Sequence, residues 1–167
     1  MDEQSLTYGM SVLEEIRDAL EPMGMTLETL PAAETKGIPT GIIRMGDTPG
    51  FWEISCSVLP THRDQISTTF VQFYLPLTPA CPEQRAELER YAAACNSRFL
   101  LGTLLVFQDS LCMKYTLALE PTIVMEDAHL RATVFAFCQQ AEDFARQGQA
   151  IGQGALTAEA ALSGQQG

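Results

Sequence analysis

The chain has 167 residues, 46% of them hydrophobic, and a formal net charge of −11 from 10 Lys plus Arg against 21 Asp plus Glu. That length and apolar share suit one domain with a sizeable core and exclude a wholly disordered chain. The acidic excess argues against nucleic acid held through its phosphates and against an anionic membrane surface, since both need clustered cations. It favours a basic or amphipathic partner.

In chain order, "MDEQSLTYGMSVLEE" has no basic n-region and no apolar h-region, so no secretory signal is expected there. Leu6, Met10, Leu13, Ile16, Leu20 and Met23 recur in steps of three and four, which predicts a helix over 6–23. Pro22 and Gly24 mark its end, and a polar linker is expected as far as Gly37. Three strands follow in this reading. "IPTGIIRM" (38–45) leads through the turn cluster "GDTPG" into "FWEISCSVL" (51–59), where Trp52, Ile54, Cys56 and Val58 share a face. After a polar connection over 60–67, "TFVQFYLPL" (69–77) puts Val71, Phe73, Leu75 and Leu77 on one side.

Residues 78–97 predict a second helix, with Pro82 and Glu83 suited to its first turn and Asn96 or Ser97 at its end. Next comes a hairpin, strand–"QDS"–strand, within Phe99–Pro121. Its second strand alternates, with Leu111, Met113, Tyr115, Leu117 and Leu119 expected to face the helices. Its first strand has two apolar faces, Leu100, Gly102, Leu104 and Val106 on one and Leu101, Thr103, Leu105 and Phe107 on the other. A strand apolar on both faces is buried on both, which predicts a cover beyond the helices: a twofold-related copy, the C-terminal tail or a client. A third helix is predicted over 125–148, with Asp127 as a candidate N-cap, a role Glu126 could share, and Phe135 lying off its apolar stripe.

The expected architecture is α+β: two layers, a five-stranded antiparallel sheet and three helices in the order α-β-β-β-α-β-β-α. Residues 1–147 form the single domain of this reading, and 148–167 a flexible Gly/Gln/Ala-rich tail.

Chemical motifs are sparse. Ser11 follows a glycine but sits within the first helix and lacks the second glycine of a nucleophile elbow. Lys36–Gly37 is not a phosphate-binding loop, and no CxxC, HxxxH or HExxH occurs, so no metal or cofactor is expected. Cys56, Cys81, Cys95, Cys112 and Cys138 are an odd set without tight spacing, which fits reduced thiols in a cytoplasm. Cys81 precedes a helix start, where a thiolate could be stabilised, but packing against the sheet is the preferred reading. Acids such as Glu87, Glu89, Glu142 and Asp143 read as solvated helix faces.

The segments "RYAAACNSRFLLGTLLVFQDSLCMKYTLALE" and "HLRATVFAFCQQAEDFAR" carry a resemblance. With Asn96 closing a helix, Lys114–Tyr115 in the hairpin and an amphipathic last helix, the chain resembles the type III secretion chaperone-like fold, over about residues 6–147. Within it the chain is most similar to the YbjN-like family of bacterial sensory transduction regulators. The resemblance implies a homodimer that holds a protein or peptide client and has no catalytic residue. The long 24–37 linker and the tail depart from the secretion chaperones.

The reading is therefore a non-enzymatic, cytoplasmic protein- or peptide-binding module that contacts neither nucleic acid nor membrane. Its candidate binding residues are Leu101, Thr103, Leu105, Phe107 and Phe135. The competing reading is a small-molecule-binding or enzymatic domain with a pocket between sheet and helices.

Overall fold

A computed structural model describes residues 3–46, 53–63, 66–97, 101–119 and 126–163. Among these are helices α1 (Glu3–Leu20), α2 (Arg85–Asn96), α3 (Asp127–Gly152) and α4 (Ala158–Ser163). The strands are β1 (Met25–Thr29), β2 (Thr40–Met45), β3 (Glu53–Arg63), β4 (Ile66–Pro79), β5 (Thr103–Phe107) and β6 (Ser110–Leu119). Single 3-10 turns at Glu21–Met23 and Pro82–Gln84 adjoin α1 and α2. The strands form one antiparallel sheet in the order β1-β2-β3-β4-β6-β5.

The α+β class stands, but the described residues hold six strands and four helices where five and three were expected. The extra strand is β1, inside the expected linker. Its "MTLET" buries only Met25, so the alternation that marks a strand is nearly invisible in the sequence. The polar connection over 60–67 belongs largely to β3 and β4. At the C-terminal end α3 continues to Gly152 with Ile151 fully buried, and α4 follows with Ala158 and Ala161 buried, where a tail was expected. Alanine is the best helix former, and it packs without the large apolar residues that signal a core helix. Trp52, Phe99 and Leu100 lie outside the described residues.

The chain divides into two compact units. The first draws on residues 1–73 and 116–135. Here the three- and four-residue steps of α1 bury Val12, Leu13, Ile16, Ala19 and Leu20 as it packs on β1 and β3. Ile43, Ile54, Cys56, Val58, Val71 and Phe73 supply the strands' share of this core, and Leu130 and Val134 that of α3. Arg131 donates to the Ala19 carbonyl at 3.3 Å, meeting one of the carbonyls that the end of α1 leaves open. Gly24, with φ of 72°, turns the chain into β1. Off the core face, Arg44 forms ion pairs with Glu28 on β1 and with Glu53 on β3, the latter at 3.0 Å.

The second unit draws on residues 74–115 and 136–167. Helix α2 buries Leu88, Tyr91, Ala92 and Cys95 and packs on β5. The Tyr91 hydroxyl donates to Gln147 Oε1 at 2.6 Å, tying α2 to α3. Gly148 lets α3 come close to the strands, since a Cβ there would lie 2.6 Å from Leu111 Cδ2 and 3.1 Å from Thr78 Cγ2. Helix α4 is fastened to α2 by the Ala158 N–H, which donates to Glu87 Oε2 at 3.0 Å.

Gly9 marks a comparable close approach in the first unit, where an added Cβ would stand 2.5 Å from Pro39 Cγ. In an open helical position Gly→Ala gains up to about 1 kcal/mol. The proline ring is stiff, so Gly9→Ala is expected to cost about 1–3 kcal/mol instead, as overpacking does. Urea unfolding measures the sign, and a stabilised variant would contradict this seating of α1.

Candidate functional site

The hairpin β5–β6 turns through two residues, Gln108 and Asp109, with φ of 45° and 58°. Two consecutive left-handed residues fit the right-handed twist of the flanking strands. The turn is tied down by Arg85, which pairs with Asp109 at 3.2 Å, and by the Asp109 carbonyl, which accepts from the Ala80 N–H at 2.8 Å. The register then pairs Phe107 with Ser110, Val106 with Leu111, Leu105 with Cys112, Leu104 with Met113 and Thr103 with Lys114.

This register sorts the strand's two faces. Leu104 is buried with Leu111 and Met113, so the face predicted to meet the helices does so. On the opposite face Thr103 is exposed, Leu105 is half-buried and Phe107 is 47% exposed. Leu101, just before the strand, is half-buried. The second face is therefore not buried by the chain's described residues, so among these the C-terminal segment, one of the three expected covers, does not cover it.

The same face carries a cluster that the sequence did not reveal. Tyr74 of β4 meets Phe107 edge to face, with ring centroids 6.3 Å apart and planes at 88°. Its hydroxyl lies 2.8 Å from Cys112 Sγ, and either group can donate. Cys112 also donates to the Ser110 carbonyl at 3.5 Å and is fully buried. Burial pushes the Tyr74 phenol up, helped by the bond to Cys112. Burial pushes the Cys112 thiol up as well, against the opposing pull of its bonds to Tyr74 and to the Phe107 carbonyl. Both groups therefore stay protonated at neutral pH, so the pair is a packed polar contact rather than an activated nucleophile. The only sequence signal was an aromatic off the apolar face of β4, directed to the side that alternation leaves for water.

The edge of β5 is occupied too. Asn96, the last residue of α2, donates from Nδ2 to the Leu104 carbonyl at 2.8 Å and accepts from the Leu104 N–H through Oδ1 at 2.8 Å. One carboxamide thus makes both bonds that a neighbouring strand would make to that residue. By its place in the sequence Asn96 is expected only to end a helix.

Phe135 is 51% exposed on α3, as expected of a residue off the apolar stripe. The hairpin cluster belongs to the second unit and Phe135 to the first.

Elsewhere the polar groups are engaged locally. Ser11 Oγ donates to the Tyr8 carbonyl one turn back at 2.8 Å. Cys81 is exposed before a three-residue 3-10 turn and makes no side-chain capping bond. A groove of about 650 Å³ lies between α2 and α4, lined by residues including Ala94, Leu162 and Arg90. Arg90 is already paired with Glu87, which also holds the start of α4. Among the described residues no group of three or more His, Cys, Asp or Glu converges as metal ligands would. No described helix is long and apolar enough to cross a membrane.

These features define a mixed α+β chain whose most distinctive surface is the aromatic face of one hairpin. Comparison with protein-family models, with curated proteins and with solved structures finds no match.

The thiols give a direct test of this packing. Only Cys81 is exposed, so the native protein is expected to take up one equivalent of thiol reagent and the denatured protein five. Burial alone pushes Cys56 up to about 12 and Cys138 up to about 11. The folded state then holds protons that unfolded thiols release above about pH 8.5. Their contribution to stability is whole below that value and declines as pH rises toward about 12. Denaturant midpoints that stay level from pH 8 to pH 11 would contradict the burial of these groups.

Proposed function

We propose that this chain is a non-enzymatic protein-binding module that works as a homodimer in a reducing cytoplasm, of the kind that YbjN-like proteins and type III secretion chaperones represent. The observation that carries the reading is the exposed Phe107 ring on a strand without charge. Between Arg98 and Asp109 no residue is charged, in a chain that carries 21 acids. Two acidic copies repel one another where their charged surfaces meet, and this neutral, apolar face avoids that cost.

A twofold contact here would place Leu105, Phe107 and Tyr74 of one copy against the same residues of the other. Exposed aromatics suit such a role, because a rigid ring adds contact area with little loss of side-chain entropy. Five free cysteines, four of them buried, agree with a compartment that keeps thiols reduced. Leu101 and Thr103 extend the same strand face toward its start. A singly exposed Phe135 is ordinary for a soluble surface and adds no weight by itself.

Phe107→Glu tests the reading by sedimentation equilibrium. Because Phe107 is half exposed, the variant is expected to stay folded, with dimer affinity reduced by about tenfold or more, as loss of a central aromatic anchor produces. A variant that dimerises as well as the parent, or a parent that is monomeric at high micromolar concentration, would overturn it. Phe135→Glu run beside it decides the reach of the surface. Loss of the dimer brings α3 into the interface, and an unchanged dimer confines the interface to the hairpin.

A further inference from the structure

We infer that the free edge of β5 is a strand-pairing site for β5 of a second copy, and that the Asn96 side chain holds it closed. The inference concerns the edge of the strand, not the face through which the homodimer is proposed.

Strand β5 ends the sheet, with β6 on one side and no described strand on the other. An edge strand offers N–H and C=O groups to any chain that can align with them, and native proteins blunt such edges with charge, proline, a bulge or a covering helix or loop. "TLLVF" has no charge, no proline and no interruption in its pairing with β6. It is short, β-prone and apolar, the composition of segments that pair with copies of themselves. An antiparallel β5–β5 pairing would bring no like charges together.

At Leu104 the end of α2 closes this edge through one side chain. Both edge groups of Leu104 are bonded to Asn96, each at 2.8 Å. In an antiparallel ladder the groups of alternate residues point to the same edge, so Val106 presents its N–H and C=O beside those of Leu104. Among the described residues nothing bonds the edge groups of Val106. The strand is thus guarded at its second residue and open at its fourth. Leu104 requires an acceptor and a donor held side by side, and only a carboxamide supplies both. Asn96 is itself fixed by its place at the end of α2, which packs on β5.

The test compares Asn96→Ala with the parent, using sedimentation velocity at matched concentrations. Asn96→Ala is expected to form species larger than the parent's. Adding Val106→Pro, which deletes an outward N–H without removing a β5–β6 bond, is expected to return it to the parent's size. Asn96→Ala sedimenting as the parent does, or a double variant that stays enlarged, would overturn the inference.

Hydrogen exchange on the parent decides the matter even if Asn96→Ala does not fold. The Leu104 amide should exchange at least about tenfold more slowly than that of Val106. Equal rates would show that Asn96 does not guard the edge. A parent that dimerises through Phe107 but shows equal rates would retain the proposed function and lose this inference.

Discussion

The carboxamide of Asn96 does at the rim of the sheet what a seventh strand would do. By accepting from the Leu104 N–H and donating to its carbonyl, it joins the end of α2 to β5 through two bonds of 2.8 Å. A buried or partly buried backbone group left without a partner costs about 1–3 kcal/mol, so this pairing also satisfies two groups that α2 would otherwise screen from water. The Leu104 side chain is buried, and strand alternation sends Leu105 and Phe107 to the opposite face.

On that opposite face Tyr74 links β4 to the hairpin. Its ring supports Phe107 from the side, and its hydroxyl meets the only polar atom of the Cys112 side chain. A thiol on the face of a sheet turned away from the helices would ordinarily be wet. Here it is fully buried, with the Tyr74 hydroxyl against its sulfur. Packing thus orients Phe107, whose outer side remains exposed, and an oriented ring loses less entropy on binding than a mobile one.

Much of this fold was legible because large apolar residues repeat at the period of their element. The buried residues of α1, the alternation of Ile54, Cys56 and Val58, and Leu111 and Met113 of the inward set behave as their spacing implies, while Tyr115, Leu117 and Leu119 of that set are only half-buried. The failures occurred where packing relies on small or isolated groups. Strand β1 buries one residue of five, and α4 docks through alanines, so neither produces a periodic signal. The candidate surface divided along the same line. Strand alternation separated Leu105 and Phe107 from Leu104, but it could not show that Tyr74 reaches Cys112 from β4. Nor could it show that Asn96 reaches across to Leu104, because both contacts depend on the tertiary placement of a single side chain. The cover predicted for the second face was inferred from apolarity alone, and within the described chain that face stays open.

The central claim is that this open face is covered by a second copy, and the most direct measurement is hydroxyl-radical footprinting of Phe107 as concentration crosses the dimerisation range. The account predicts that oxidation of Phe107 slows as the dimer fills, in step with the dimer fraction found by sedimentation. An oxidation rate at Phe107 that stays constant while the dimer forms would contradict it, because the interface would then lie elsewhere on the molecule.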